Sequence, residues 1–262
     1  MRFAFYSRSD DNSENIKKSL MEKLVSIGFT FNEQKPELII FIGGDGTFLR
    51  AVHEHLNTID KISFIGVRSG TLGFFCDYGS DELDLLVSEL KYGKTQLGSY
   101  RMIEANLKYQ TRQTTIYAVN EIRLENPFHT MICEVQINGE KLEHFRGNGL
   151  IVSSNLGSSA YNKSLGGALV DPSVSMLQLT EIATIQNNVY HSLGSSLVLG
   201  AERTVNLIGD LNRSVVGFDH IFLETGESLT AIEIRLSKKT VQILHKSGHS
   251  YIDLLHKTFV VD

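Results

Sequence analysis

Cysteine and proline are scarce in this sequence. Its 262 residues include only two cysteines, Cys76 and Cys133, and neither lies in a Cys-x-x-Cys pair. Two such thiols cannot build a disulfide framework, so the sequence favours a protein of a reducing compartment. The three prolines stand against 22 glycines. This balance argues against long disordered linkers and for many tight backbone turns.

The sequence also lacks a long apolar run and a strong excess of either charge. No run approaches the roughly 20 apolar residues of a membrane-spanning helix. Residues 1–7 lack the basic head and apolar stretch of a signal peptide, and we therefore expect a cytoplasmic protein. The net charge of −5 gives no field that would attract nucleic acid or a membrane surface. An anionic substrate would need a local basic pocket.

The first third of the sequence alternates strand and helix signals. Leu38–Ile42 is a continuous apolar run of strand length, as expected for a parallel strand that is covered on both faces. A helix is expected from Thr47, a second strand at Ile62–Val67 and a further amphipathic helix at Asp81–Leu90. This alternation predicts an α/β N-terminal domain with an open parallel sheet over residues 1–98.

After Gly98 the sequence changes to short β-rich runs. Asn138-Gly139 separates two of them, and Asn-Gly favours a hairpin because it tolerates positive φ at both turn positions. These runs predict a second, mainly antiparallel β domain over residues 99–245. Residues 246–262 are expected to pack back on the first domain.

A glycine-rich segment follows the first buried strand. Gly43, Gly44 and Gly46 would let the backbone approach a phosphate, and the N-terminus of the following helix would offer free N–H groups. Asp45, between these glycines, could accept the proton of a substrate hydroxyl. The alternative is a tight strand-to-helix turn in which Asp45 is only the N-cap.

Two other polar segments carry weaker signals. Asn120-Glu121 closes a predicted strand, and a carboxylate beside an amide could bridge two ribose hydroxyls. Its alternative is a solvated strand end. Gly157–Ser164 combines small residues, hydroxyls and Tyr161, against which a flat ligand could lie. The alternative there is an ordinary Ser/Gly-rich loop.

Together these segments resemble the NAD kinase family, and their order is similar to that of the compact bacterial ATP-dependent members. The motifs that carry the resemblance are Gly43–Thr47, Gly70–Phe74, Asn120-Glu121, Phe145–Gly149 and Gly157–Ser164. The first motif alone is shared with lipid kinases, whereas the full set is specific. The resemblance implies phosphorylation of the adenosine-ribose 2′-hydroxyl of NAD by ATP, which yields NADP.

The resemblance also implies a role for individual residues. Asp45 would be the general base, and the glycines around it would line the ATP phosphates. The β-rich domain would bind NAD. Besides Gly43, Gly44, Asp45 and Gly46, the nucleotide-binding residues implied by the resemblance are Phe74, Asn120, Glu121, Arg146, Asn148, Ser159, Ala160, Tyr161, Ser164, Ala183 and Ile185. The resemblance further implies a homotetramer in which Arg146 approaches the NAD site of a neighbouring subunit.

Mg²⁺ or another divalent ion would arrive with ATP, held largely by phosphates and water. No metal site made by the protein is predicted, because the nine histidines are scattered and His53 and His55 cannot face one ion from a helix. Asn148 departs from the family, whose members usually have Asp there, and the change removes a charge. Two alternatives stay open: a lipid kinase of the diacylglycerol or sphingosine type, and a non-catalytic dinucleotide sensor.

Overall fold

The computed structural model describes residues 1–70, 73–226 and 228–260. The chain forms two compact units, one of Met1–Ser99 with Lys239–Asp262 and the other of Tyr100–Lys238. Residues 239–245, which the sequence analysis assigned to the β-rich domain, thus belong to the first unit. They do so because Gln242 and Ile243 pair in parallel with Ser63 and Phe64 of that unit.

The elements follow one another closely along the chain. The strands are β1 (Arg2–Ser7), β2 (Thr30–Phe31), β3 (Leu38–Gly43), β4 (Ser63–Arg68), β5 (Tyr78–Gly79), β6 (Gln96–Tyr109), β7 (Gln113–Ala118), β8 (Glu121–Glu125), β9 (Met131–Ile137), β10 (Glu140–Gly147), β11 (Gly149–Ser153), β12 (Met176–Ile182), β13 (Leu197–Gly200), β14 (Thr204–Ile208), β15 (Val215–Phe218), β16 (Ile221–Glu224) and β17 (Leu229–His245). The helices are α1 (Asp11–Ser26), α2 (Asp45–Glu54), α3 (Leu83–Tyr92), α4 (Tyr161–Ser164) and α5 (Tyr251–Leu255), and single helical turns cover Ile59–Lys61, Leu156–Ser159 and His256–Val260.

The first unit is an α/β layer around a parallel sheet, as predicted. Strands β2, β1, β3, β4 and β5 lie side by side in that order, and every pair is parallel. All residues of β3 are buried, which explains why its sequence is continuously apolar rather than alternating. Helix α1 buries Ile16, Leu20 and Leu24 in the core beneath this sheet.

The second unit is built from antiparallel strands, which confirms the predicted β-rich fold. One sheet has the order β13-β12-β11-β8-β15-β16. The chain reverses between β9 and β10 at Asn138 and Gly139, whose φ angles are 52° and 82°. The predicted hairpin is therefore present. Apolar side chains from several strands, among them Phe145, Leu150 and Ile232, share one core.

Candidate functional site

Asp45 lies at the start of α2, directly after the buried strand β3. The N-cap of α2 is Gly44, and no side chain caps the helix. The alternative in which Asp45 serves as the N-cap is therefore wrong. Its two carboxylate oxygens instead accept hydrogen bonds from the backbone N–H groups of Phe74, at 3.0 Å, and Phe75, at 3.1 Å. Two donors from another loop thus fix the orientation of this carboxylate.

The environment of Asp45 makes its carboxylate a stronger base than a carboxylate in water. Burial raises the pKa of Asp45, and the hydrogen bonds from Phe74 and Phe75 offset only part of that rise. The close approach requires a glycine at position 73, since an added Cβ would lie 2.6 Å from Asp45 Oδ1. Thr71 and Leu72 of the same motif lie outside the described residues.

The glycines beside Asp45 serve two different purposes. A Cβ at Gly43 would collide with the buried side chain of Thr47, so Gly43 is needed for packing. Among the described residues, a Cβ at Gly44 would meet no atom within 4 Å, and one at Gly46 would meet the Arg50 guanidinium alone, at 3.7 Å. The backbone at these two positions is therefore open to a ligand at the N-terminus of α2, where N–H groups and the helix dipole favour an anion.

Phe74, one of the nucleotide-binding residues that the resemblance implies, has an aromatic neighbour. Its ring centroid lies 5.7 Å from that of Phe259, with the planes tilted by 36°. Its backbone N–H holds Asp45. In the first unit, Phe74 therefore lies beside the Asp45 carboxylate and the glycine segment Gly43–Gly46.

Asn120 and Glu121 lie in the second unit and are buried, with exposed fractions of 8% and 4%. The alternative of a solvated strand end is therefore wrong. Asn120 Oδ1 and Glu121 Oε2 accept no hydrogen bond from any described residue. Buried acceptors without donors are costly, so both atoms are suited to receive hydroxyl groups of a ligand.

Asp219 orients this pair through the backbone. Its carboxylate accepts the N–H groups of Val119, at 2.8 Å, and Asn120, at 2.7 Å. Asp219 itself has φ of 50°, a conformation that Asp and Asn tolerate better than most residues. Asp219-His220 also resembles a family position near the pocket, but the partners of the Asp219 carboxylate cannot be read from the sequence because they lie about one hundred residues away.

The carboxyl group of Glu121 has an unusual pKa. Burial, followed by the negative charge of Asp219, raises the pKa of Glu121 to about 8. The Arg123 guanidinium, 3.3 Å from Glu121 Oε1, opposes this rise without cancelling it. Glu121 therefore loses its proton at a higher pH than an exposed glutamate does.

The Gly157–Ser164 segment packs directly on Asn120. A Cβ at Gly157 would overlap the Asn120 carbonyl group, so glycine alone allows this contact. Ser159 ends the helical turn Leu156–Ser159, which contains Gly157, and Ala160 is the N-cap of α4. Tyr161 begins α4, and its hydroxyl donates to Glu125 Oε1 at 3.2 Å. Ser164 ends α4 and is exposed. Two motifs separated along the sequence thus meet in the second unit.

We expect Gly157→Ala to weaken NAD binding and to lower the melting temperature. The added methyl must displace the Asn120 backbone, and overpacking of this kind costs about 1–3 kcal/mol. Thermal unfolding and the Michaelis constant for NAD measure the effect. Gly200→Ala is the matched control, because a Cβ at Gly200 meets no atom within 4 Å. The same melting temperature and the same Michaelis constant for NAD in both variants would contradict the role given to Gly157.

The remaining implied residues gather where β10 leads into β11. The Arg146 carbonyl accepts the N–H of Ile185 at 2.8 Å, and its guanidinium lies 4.3 Å from the ring centre of Tyr190. Ala183 has φ of 47°. The Asn148 amide donates to the Asn126 carbonyl at 2.9 Å, which an ionised Asp could not do. This hydrogen bond gives a structural reason for Asn at position 148.

Comparisons with known proteins identify relatives along the full length of this chain. Residues 3–94 match the model of the ATP-NAD kinase N-terminal domain, and residues 119–210 match that of the C-terminal domain. "NAD kinase 1" of Bacillus anthracis is 33% identical over 265 residues, covering 100% of both chains. "NAD kinase" of Limosilactobacillus reuteri is 35% identical over 266 residues, covering 99% of this chain and 98% of that protein.

Two solved structures share the fold. The yeast NADH kinase complexed with NADH superposes with a TM-score of 0.85 at 17% identity, covering 100% of this chain and 89% of that one. An NAD kinase from Archaeoglobus fulgidus in complex with ATP gives a TM-score of 0.77 at 19% identity, with 94% of each chain covered. Among the described residues, no helix has the length and apolar composition needed to cross a membrane.

Proposed function

This chain belongs to the ATP-NAD kinase family, and we propose that Asp45 is the general base with which it phosphorylates NAD. The enzyme is an NAD kinase, which uses ATP to convert NAD into NADP. Neither the lipid-kinase nor the sensor alternative is supported by the matched family models or by the curated relatives. The observation that carries the proposal is the oriented, partly desolvated carboxylate of Asp45 beside the open glycine backbone.

In the proposed reaction, Asp45 accepts the proton of the adenosine-ribose 2′-hydroxyl as that oxygen attacks the γ-phosphorus of ATP. The bond from the γ-phosphorus to the bridging oxygen breaks, and ADP leaves. The raised pKa of Asp45 favours this proton transfer. Gly44 and Gly46 leave room for phosphate oxygens at the N-terminus of α2.

A divalent ion such as Mg²⁺ is proposed to enter with ATP. The carboxylate oxygens of Asp45 are the hard donors that Mg²⁺ prefers, and among the described residues no atom lies within 4 Å of a Cβ built at Gly44. The residues therefore fit such an ion, with ATP phosphates and water as its main ligands. When bound, the ion neutralises charge on the transferred phosphoryl group.

Asn120 and Glu121 are proposed to hold hydroxyl groups of NAD. Their acceptor oxygens are buried without a hydrogen-bond partner among the described residues, and a vicinal diol offers two hydroxyl donors. Ligand hydroxyls would remove the cost of leaving these acceptors unpaired. The further contacts proposed for NAD are Phe74, Arg146, Asn148, Ser159, Ala160, Tyr161, Ser164, Ala183 and Ile185.

A coupled assay tests the activity. Purified protein is incubated with Mg²⁺ and either ATP or polyphosphate, with NAD or NADH as acceptor, and NADP or NADPH is measured. We expect ATP-dependent formation of NADP. A parallel reaction contains diacylglycerol in place of NAD. Phosphorylation of that lipid without phosphorylation of NAD would overturn the proposal.

We expect the Michaelis constant for NAD to fall as the pH rises through the pKa of Glu121, which is about 8 in the free protein. Only the ionised carboxylate offers both oxygens as acceptors to ribose hydroxyls. The Michaelis constant is measured across this range for wild type and for Glu121→Gln, which cannot ionise. The pH dependence should flatten in the variant. The same slope in both proteins would contradict a role for Glu121 in binding NAD.

The protein is further proposed to be a cytoplasmic homotetramer whose NAD sites are completed by Arg146 of a neighbouring subunit. Both cysteines are buried free thiols, which supports a reducing location. Closed symmetry is common among homo-oligomers. Asp45→Asn and Arg146→Ala chains, each nearly inactive alone, should regain activity when mixed. A monomer in light scattering, or no recovery in proven mixed oligomers, would refute the shared site.

A further inference from the structure

Three potential metal ligands meet in the first unit, away from Asp45 in the sequence. Asp77 lies between β4 and β5, His245 ends β17, and His249 precedes α5. Their ligand atoms lie within 4.8 Å of one another. His245 Nδ1 is 2.8 Å from Asp77 Oδ2, and His249 Nδ1 is 2.9 Å from Asp77 Oδ1.

The local backbone holds this cluster in place. The turn after β17 is closed by the His249 N–H, which donates to the Lys246 carbonyl at 3.0 Å, and it passes through Gly248 at φ of 75°. His249 thereby folds back on His245, so that the ring centroids are 4.2 Å apart and the planes differ by 28°. The Lys246 N–H also donates to Asp77 Oδ2 at 3.1 Å. The segment at Asp77 and the segment from His245 to His249 thus bring their potential metal-ligand atoms close together.

The cluster is shielded from water but not sealed. The side chains of His245, Asp77 and His249 are 10%, 12% and 21% exposed. A cavity of about 270 Å³ opens beside Asp77 and His249. Lys246 in its wall is paired with Glu82 at 2.5 Å, and Lys257 is paired with Asp253 at 2.7 Å. The wall also contains Arg68, so its three cations are matched in number by three carboxylates, those of Glu82, Asp253 and Asp77.

We propose that Asp77, His245 and His249 form a binding site for one transition-metal ion of the zinc class. Two imidazole nitrogens and one carboxylate oxygen are the donors that Zn²⁺ uses in proteins, and three protein ligands leave a fourth position for water. The neighbouring cavity can supply that water. Each imidazole binds through Nδ1, so the proton that it now shares with Asp77 moves to Nε2 or to solvent.

The proposed site differs in chemistry from the one that receives Mg²⁺ with ATP. Imidazole favours Zn²⁺, Co²⁺ and Ni²⁺, whereas Mg²⁺ requires oxygen ligands. An ion bound by Asp77, His245 and His249 links the segment after β17 to the loop after β4. It therefore stabilises the first unit.

The test uses the purified full chain after treatment with a chelator. Co²⁺ is titrated and followed by its visible absorption, and Zn²⁺ binding is counted by native mass spectrometry. We expect one ion per chain, a Zn²⁺-dependent rise in melting temperature that Mg²⁺ does not produce, and an affinity at least about tenfold weaker in His249→Gln. His256→Gln, an exposed histidine seven residues further on, is the matched control and should bind as wild type does.

Three results would overturn the proposal: no Co²⁺ binding tighter than about 1 mM, equal affinity in wild type and His249→Gln, or equal weakening in His256→Gln. Circular dichroism shows whether each variant is folded. If His249→Gln does not fold, His245→Gln takes its place in the comparison. If that variant also fails to fold, the wild-type stoichiometry and the Zn²⁺-dependent rise in melting temperature decide.

Discussion

Asp45→Asn is expected to keep the fold and to lose most of the turnover. The amide cannot accept the ribose proton, and general-base catalysis contributes a factor of about 100 to 10,000. Asn can still accept one of the two backbone N–H groups of Phe74 and Phe75, but its NH₂ group must face the other. A local cost of about 1–3 kcal/mol follows from that unsatisfied donor, which is too small to unfold the domain.

The turnover number and the Michaelis constant for NAD are measured together with thermal unfolding. Glu22→Gln, the same loss of charge at an exposed position on α1, is the control and should retain the wild-type rate. An Asp45→Asn enzyme with half the wild-type turnover number would rule Asp45 out as the base. Some residual rate is compatible with the proposal, since phosphoryl transfer depends largely on positioning and charge.

Asp219→Ala is expected to give the largest loss of stability among these substitutions, together with a raised Michaelis constant for NAD. The change leaves the buried N–H groups of Val119 and Asn120 without their acceptor. At about 1–3 kcal/mol for each buried donor, the free energy of unfolding should fall by about 2–6 kcal/mol. Because the freed backbone carries Asn120 and Glu121, NAD binding weakens while the Michaelis constant for ATP stays close to wild type.

Chemical denaturation and substrate titrations measure these two effects. The free energy of unfolding of Asp219→Asn should lie between those of Asp219→Ala and wild type. The single amide oxygen of Asn restores one of the two hydrogen bonds, and Asn tolerates positive φ. Asp210→Ala is the control, since Asp210 is exposed and accepts one backbone N–H in a turn. A rise in the Michaelis constant for ATP equal to that for NAD would show that Asp219 has only a general structural role.

Local patterns in the sequence predict the fold class and the part of the functional site around Asp45. The unbroken apolar run of β3 predicts a strand buried on both faces, and Asn138-Gly139 predicts a hairpin, because these signals depend on neighbours within a few residues. The glycines around Asp45 predict a ligand site at the end of β3 for the same reason. The strand predicted at Ile62–Val67 and the helix predicted at Asp81–Leu90 begin and end within two residues of β4 and α3.

Contacts between distant segments decide what each polar residue does. From the sequence, Asp45 could be either a general base or a helix N-cap. In the structure, its carboxylate accepts the N–H groups of Phe74 and Phe75 instead of capping the helix. In the sequence, Asn120 and Glu121 look like a solvated strand end. In the structure, Gly157 packs on Asn120, and the Asp219 carboxylate accepts the Asn120 N–H.

The scattered histidines predict no metal site, whereas the turn through Gly248 brings His245 and His249 to Asp77. The pattern of side chains along the chain therefore determines which elements form and where a ligand can approach. Burial, hydrogen-bond partners and pKa depend on residues thirty to one hundred and seventy positions away, which only the folded chain brings together.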